Sequence, residues 1–304
     1  PEVVFADPGI DAVVIATPND SHFSLARSAL LAGKHVVVDK PCTVTLAETD
    51  QLLALAAQQQ RVLTVFQNRR FDSDFLALQQ VLASGALGRV VQVESHFDRY
   101  RPVVPARWRE RQQPGAGLWL DLGPHLIDQA LCLWGMPDAL LLDWACVRDG
   151  AQVNDWFHAV LCYRRSVGDL RVILHASTLV AELGPRWVVH GSTGSFTKFG
   201  LDPQEEALKA GARPHLQAEQ DWGCDPQPGE ILHMASIPGV AAPVSARYAA
   251  PAPNGNYLHY YANLRDHLAG TGDLLVPPAQ VRRVMQLLSL GEQSAQQGAW
   301  VSCV

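Results

Sequence analysis

Short apolar runs that alternate with helical segments fill the first 66 residues, and this alternation constrains the fold more than any other feature of the chain. Residues 12–16, 35–38 and 62–66 are β-branched runs of the kind buried in a parallel sheet, and residues 21–32 and 46–60 between them read as helices. Strands joined through helices make βαβ units with right-handed crossovers. An open sheet of the Rossmann type has two such halves, and only the second is legible, so the sequence predicts that roughly 50 residues of sheet and helix lie upstream of Pro1.

From Gly88 the pattern changes. Residues 90–98, 139–147, 156–163, 170–178, 186–190 and 195–199 are near-consecutive strand runs, which predict an antiparallel sheet, with helices at 124–134, 203–210, 257–269 and 278–296. The expected fold class is α/β followed by α+β. Part of a Rossmann parallel sheet occupies residues 1–70, and residues 71–304 form a domain with a large open antiparallel sheet and helices on one face. A chain of 304 residues that is 48% hydrophobic can fill two such cores. Residues 211–256, rich in Pro, Gly and Ala, read as a long ordered excursion over the sheet.

Charge and composition remove several classes of partner. The 24 Lys+Arg against 30 Asp+Glu give a net charge of -6 with no basic block, so a nucleic-acid or anionic-membrane footprint is missing. The most apolar region, 130–147, is broken by Gly135, Pro137, Asp138 and Asp143, and no run of about 20 apolar residues spans a bilayer. Six scattered cysteines without a Cys-x-x-Cys pair, and no secretory signal at the start, predict reduced thiols and a cytoplasmic location.

The familiar phosphate-binding motifs are missing. None of the 23 glycines forms Gly-x-Gly-x-x-Gly or Gly-x-x-x-x-Gly-Lys. Gly191-Ser-Thr-Gly194 joins two strands and precedes no helix, which makes it a hairpin turn.

Two other constellations are placed where ligands bind open α/β sheets, at the carboxyl ends of strands. Ala16-Thr17-Pro18-Asn19-Asp-Ser-His22 follows the first strand and Asp39-Lys40-Pro41 the second. The first also reads as a helix cap and Lys40 as a solvated charge, but a Lys directly after an apolar strand meets a ligand, and burial there lowers its basicity. Further on, Gly115-Ala-Gly-Leu-Trp-Leu-Asp121-Leu-Gly123-Pro124-His125 opens a helix. Pro124 belongs in a first turn, so the helix is expected to begin near Gly123, with His125 made a readier proton donor by the positive helix end and Asp121 orienting it. A metal site needs a third ligand at fixed spacing, and none is evident.

Taken together, the chain resembles the Gfo/Idh/MocA oxidoreductases, the glucose-fructose oxidoreductase and inositol dehydrogenase family. The resemblance rests on Ala16-Thr-Pro-Asn19 with His22, Asp39-Lys-Pro41, Gln67-Asn-Arg-Arg-Phe71, Gly85-Ala-Leu-Gly88, residues 117–128 and the terminal Gly298-Ala-Trp-Val301. The run 67–75, with His96-Phe-Asp-Arg-Tyr-Arg-Pro102 and residues 200–206, is most similar to a subgroup that includes NADP-dependent scyllo-inositol dehydrogenases.

The resemblance implies hydride transfer between NADP or NAD, NADP favoured, and a carbon of a cyclic polyol or sugar. It maps Lys40, Asp121 and His125 onto the catalytic positions, with Asp39 where the family usually has Glu. Thr17, Pro18, Asn19, His22, Asp39, Lys40 and Asn68 are then the cofactor-side residues. Arg69 is a substrate-side residue, with Asp98, Arg99, Trp108 and Arg109 as weaker candidates for the pocket wall. His125 is the expected proton acceptor and Lys40 the alternative. With the glycine fingerprint outside the chain as written, dinucleotide binding by this chain is expected to be impaired.

A homodimer or homotetramer formed through the open sheet face is also expected. Two rivals remain. A non-catalytic dinucleotide- and sugar-binding regulator of the same fold would be expected to lack Lys40 or His125, and a hydrolase would need a nucleophile or metal beside His125.

Overall fold

The computed structural model describes residues 1–215, 221–235 and 243–303. A short exposed helix, α1 (Glu2–Ala6), precedes β1 (Ala12–Ile15), α2 (His22–Leu31), β2 (His35–Val38), α3 (Leu46–Gln58) and β3 (Leu63–Val65). The three strands pair in parallel in the order β1-β2-β3, as the βαβ alternation requires.

Local chemistry sets the helix ends. Gly33 takes φ +75 after α2, and Thr45 opens α3 with a capping box: its hydroxyl accepts from Glu48 N, and the Glu48 carboxylate accepts from Thr45 N. Val13, Ile15, Val36, Val38 and Leu63 bury against Ala26, Leu30 and Leu52 of the helices. A fully buried first strand is not what forms, because Val14 on the opposite side of β1 stays 54% exposed while β2 and β3 are covered.

The second region contains α4 (Ser73–Ala83), β4 (Val90–His96), α5 (Leu118–Trp134), β5 (Ala139–Ala145), β6 (Trp156–Tyr163), β7 (Leu170–Ser177), β8 (Trp187–Gly191) and β9 (Gly194–Lys198). It continues with α6 (Gln204–Lys209), β10 (Glu230–Ala235), β11 (Val244–Ala249), α7 (Leu258–Leu268), α8 (Pro278–Gln297) and β12 (Val301–Ser302). These strands form one nine-stranded sheet ordered β11-β10-β9-β8-β4-β7-β6-β5-β12.

Two expectations change here. The sheet is mixed rather than antiparallel, because β4 and β7 run parallel: the chain leaves β4 through α5 and returns by the β5–β6 meander before β7 inserts beside it. The excursion 211–256 contributes β10 and β11 to the sheet edge, pairing with β9 through Ile231↔Phe196 and with each other, while its residues 216–220 and 236–242 lie outside the described ones. The 191–194 segment is the β8–β9 hairpin turn.

Alternation along the strands gives the sheet two unlike faces. Val93, Leu140, Phe157, Leu161, Val172, Leu174, Val189 and Phe196 point into a core closed by α4, α5 and α8. Gln92, Glu94, His96, Ile173, His175, His158 and Val160 alternate with them and are only partly buried. The helices come close where glycine allows it: a Cβ on Gly291 of α8 would lie 2.4 Å from the Trp119 ring, and Trp119 Nε1 donates to Leu288 O at 3.1 Å.

Helix α5 starts at Leu118, five residues before the expected point, so Pro124 lies inside it. An interior proline costs about 3 kcal/mol. Burial of Trp119, Leu122, Leu126 and Ile127 along the same helix offsets that cost, each fully buried apolar side chain being worth about 1.5–3 kcal/mol. Asn154 satisfies the first turn, its carbonyl accepting from Leu118 N and its side chain from Trp119 N.

Candidate active site

A cavity of about 520 Å³ opens where the carboxyl ends of β1, β2 and β3 face α5 and the loop after β4. Ala16, Asp39, Lys40, Phe66, Asn68 and Arg69 line it from the first region, and Phe97, Arg99, Arg109, Asp121 and His125 from the second. Lys40 sits at the seam. It follows β2 at a cis Lys40–Pro41 bond, and its Nζ donates to Asp121 O at 2.5 Å and to Asp121 Oδ1 at 2.9 Å. An ammonium has three protons, so one is left for a ligand.

The proline inside α5 contributes to this contact. Pro124 has no N–H for Leu120 O, which loosens that turn, and Asp121 O beside it accepts from Lys40. Burial alone would raise the Asp121 carboxyl. The Lys40 ammonium, its hydrogen bond, and the Arg109 and Arg99 guanidiniums outweigh burial and hold it at about 2. Arg109 Nε is 3.4 Å from Asp121 Oδ1 and its guanidinium covers the Trp108 ring.

One helical turn on, His125 is buried, and its Nδ1 has no hydrogen-bond partner among the described residues. Burial, then Lys40, Arg69, Arg99 and Arg186, push its pKa well below the ordinary histidine value, so the ring is neutral at pH 7. This reverses the expectation of an imidazolium favoured by a helix end: His125 is the eighth residue of α5, away from its terminus and surrounded by cations.

The remaining candidates divide. Asp39 lines the cavity and its Oδ1 accepts from Lys40 N. His22 is wholly buried with its ring between Pro41 O and Thr17 O, each at 2.9 Å, so it ties the β1 and β2 ends together and does not line the cavity. Thr17 Oγ1 pairs with Ser21 Oγ at 2.6 Å, and Pro18 O accepts from that same hydroxyl. Asn19 donates to Gly115 O at 2.9 Å instead of capping a helix. Gly115 has φ +82, and a Cβ there would lie 2.9 Å from Asn19 Cβ.

Arg69 is buried between Asp72 at 3.1 Å and Glu205 at 2.5 Å, with its guanidinium over Phe97. Arg99 lines the wall with no carboxylate within ion-pair distance among the described residues. Burial, then Arg101, lower its pKa.

Two wall candidates are misplaced. Trp108 supports Arg109 from behind without lining the cavity. Asp98 points to the opposite face of the sheet, because it is one residue out of phase with Phe97 and Arg99.

Sequence reasoning passed over Phe66, Arg101, Arg107, Asn154, Arg148 and Tyr261. Arg148 joins Glu110 at 2.6 Å to Asp155 at 2.7 Å and so positions the turn that carries Arg109. Only three-dimensional proximity reveals that triad.

A nicotinamide dinucleotide is tested by these same groups. The three parallel strand ends open onto one cavity, the compact Ala16 leaves the first end unobstructed, and Lys40 and His125 offer an unengaged proton and an unpartnered nitrogen. The residues fit the nicotinamide end of such a group.

The fold thus joins a three-stranded parallel sheet to a larger mixed sheet, with Lys40, Asp121 and His125 converging on the cavity between them. Residues 1–67 match the family described as the oxidoreductase family, NAD-binding Rossmann fold, and residues 79–303 match its C-terminal alpha/beta domain; the chain belongs to the Gfo/Idh/MocA oxidoreductases. It is 50% identical to the uncharacterized oxidoreductase YdgJ of Escherichia coli over 98% of this chain and 83% of that protein. It is 34% identical to the scyllo-inositol 2-dehydrogenase (NADP(+)) IolW of Bacillus subtilis, over 97% of this chain and 80% of that one. The YPO2259 putative oxidoreductase from Yersinia pestis superposes with a TM-score of 0.90 at 47% identity, covering 100% of this chain and 82% of that one.

Proposed function

We propose that the chain is an NADP-preferring dehydrogenase acting on a secondary alcohol of a cyclic polyol or sugar. One observation carries the reading: Lys40, with one proton unengaged, is held by Asp121 one helical turn from the neutral His125 in a cavity that joins both regions. The similarity to IolW supports NADP and an inositol-like substrate.

A bound nicotinamide would supply the hydride chemistry at the substrate carbon. The protein orients the alcohol and handles its proton. Lys40 donates a hydrogen bond to the substrate oxygen and stabilises negative charge there as the C–H bond weakens. His125, already neutral, accepts the hydroxyl proton at Nδ1 or Nε2, while Asp121 holds the Lys40 Nζ in place. Asp39, Asn68 and Ala16 bound the cofactor side, and Arg69, Arg99 and Arg109 the substrate side. Among the described residues Arg99 has no ion-pair partner, which favours a second reading within the same class: a sugar or polyol bearing a carboxylate that this guanidinium pairs.

The protein is further proposed to be cytoplasmic and to assemble into a homodimer or homotetramer through the partly buried sheet face. Among the described residues no helix is long and apolar enough to cross a membrane. Nicotinamide absorbance is to be followed with inositols, aldoses, their uronic and aldonic acids, and simple 2-hydroxy acids. Turnover of inositols or aldoses is expected, turnover of the acids alone selects the second reading, and turnover confined to 2-hydroxy acids overturns both.

A further inference from the structure

Three histidines and two carboxylates meet on the partly buried face of the large sheet, away from the cavity. The β4–β7 register pairs His96 with His175 and the β6–β7 register pairs His175 with His158, which puts the rings in a row with centroids 5.3 and 5.6 Å apart. Asp98 reaches between the first two. Its Oδ2 is 3.4 Å from His96 Nδ1 and its Oδ1 is 3.4 Å from His175 Nε2. The Asp98 side chain is only 10% exposed, and its buried Oδ1 accepts no hydrogen bond among the described residues. A buried carboxylate oxygen without a donor is costly, and a cation shared with the facing nitrogens would remove that cost.

The spacing identifies the kind of cation. Zinc bonds of about 2.0–2.2 Å to nitrogen and oxygen set tetrahedral ligands roughly 3.3–3.5 Å apart. The two N···O separations, each 3.4 Å and made to different oxygens of Asp98, are of that size, so the carboxylate faces both rings at ligand spacing, and one ligand atom from each of His96, Asp98 and His175 lies within 4.8 Å of the others.

The outer contacts agree. Glu94 Oε2 lies 3.3 Å from His96 Nε2, and Gln92 Nε2 donates to Glu94 Oε1 at 2.6 Å. A carboxylate that accepts from Nε2–H leaves the Nδ1 lone pair facing Asp98, the arrangement that supports metal-bound imidazoles. Trp156 packs against both His175 and His158 and restricts their rotation.

We propose that His96, Asp98 and His175 form a site for a divalent transition-metal ion of the zinc class. Two imidazoles and one carboxylate suit zinc and its neighbours, whereas magnesium and calcium take all-oxygen sets. Water or His158 fills the remaining position. The site lies outside the cavity and stands independently of the redox reading.

The test uses the whole chain freed of metal with a chelator, titrated with Zn²⁺ by calorimetry and with Co²⁺ by visible absorption. Saturable binding of no more than one ion per chain is expected, with His175→Ala and Asp98→Asn each weakening it about tenfold or more and Glu94→Gln producing a smaller loss. His190→Ala, on the neighbouring β8, is expected to keep the wild-type affinity. Circular dichroism identifies any variant that fails to fold, and Glu94→Gln, which removes no ligand, then decides. Three results overturn the proposal: no saturable uptake, unchanged affinity in the folded variants, or a sulfur-to-cobalt charge-transfer band that assigns the ion to cysteine.

Discussion

The molecule holds a partly or fully buried histidine in each of two charged settings, His125 on α5 and His96 on the large sheet, and the surroundings give the two imidazoles opposite character. On α5, burial together with Lys40, Arg69, Arg99 and Arg186 drives His125 toward neutrality. On the sheet, burial pulls His96 down as well, but hydrogen bonds and charge from Asp98 and Glu94 more than reverse it and its pKa rises. Residue type alone therefore assigns no role. The sign of the nearest charges does, and it comes from elements distant in sequence.

Removing the cation that separates the two environments has the largest expected effect. Lys40→Met is expected to lower turnover by as much as about 10⁴-fold while leaving NADPH affinity within a few-fold, as read by steady-state kinetics and fluorescence titration. An equal loss in both would make Lys40 a cofactor clamp. For His125→Asn a loss of about 10²-fold is expected, together with loss of the ionisation on the acid side of the pH profile. Near-normal turnover in that variant would transfer the proton to Lys40.

His125 also links stability to pH. Its folded pKa is lowered, so the unfolded chain binds the extra proton; its contribution is complete above the unfolded value near 6.5 and is lost as pH falls toward the folded value. Urea unfolding of His125→Asn should therefore weaken less than wild type as the pH is lowered from about 6.5.

Asp121 has the same sign in a lower window. Its carboxyl near 2, against about 3.9 unfolded, contributes on the order of 2 kcal/mol above pH 4 that disappears as pH falls through 2. Asp121→Asn should lack that acid-side loss, and an unchanged pH dependence would mean that the Lys40 pair is already open in solution. The smallest effect is expected across the sheet. His158→Ala faces away from the cavity, and turnover is expected to stay within about twofold; a larger fall would join the two regions that the geometry separates.

Much of this was legible in the chain. Apolar strands of three or four residues separated by helix-length segments specify βαβ pairing on local grounds, and the positions of Lys40, Asp121 and His125 followed from strand ends and an i, i+4 spacing. What was illegible depends on long-range pairing. Nothing local to residues 90–96 or 170–177 announces that they run parallel, and so nothing announces that His96 meets His175. Asp98 was misread although the signal existed, since Val93, Ser95 and Phe97 are the inward set and Asp98 falls between Phe97 and Arg99. The start of α5 was misread because Pro124 obeys a propensity rule that burial of Trp119 and Leu122 overrides.

The contact of Asn19 with Gly115 bears on how such proteins can be recombined. The two residues come from opposite sides of the seam that Lys40 crosses, and the close approach tolerates no side chain at position 115. Exchanging residues 1–70 with a relative would rematch this junction together with Val37, Cys42 and Val65, which pack into the core of the larger sheet. Hybrids should therefore fold where the incoming segment keeps those apolar contacts, and catalytic competence should follow the match between the incoming residue at 19 and the resident residue at 115.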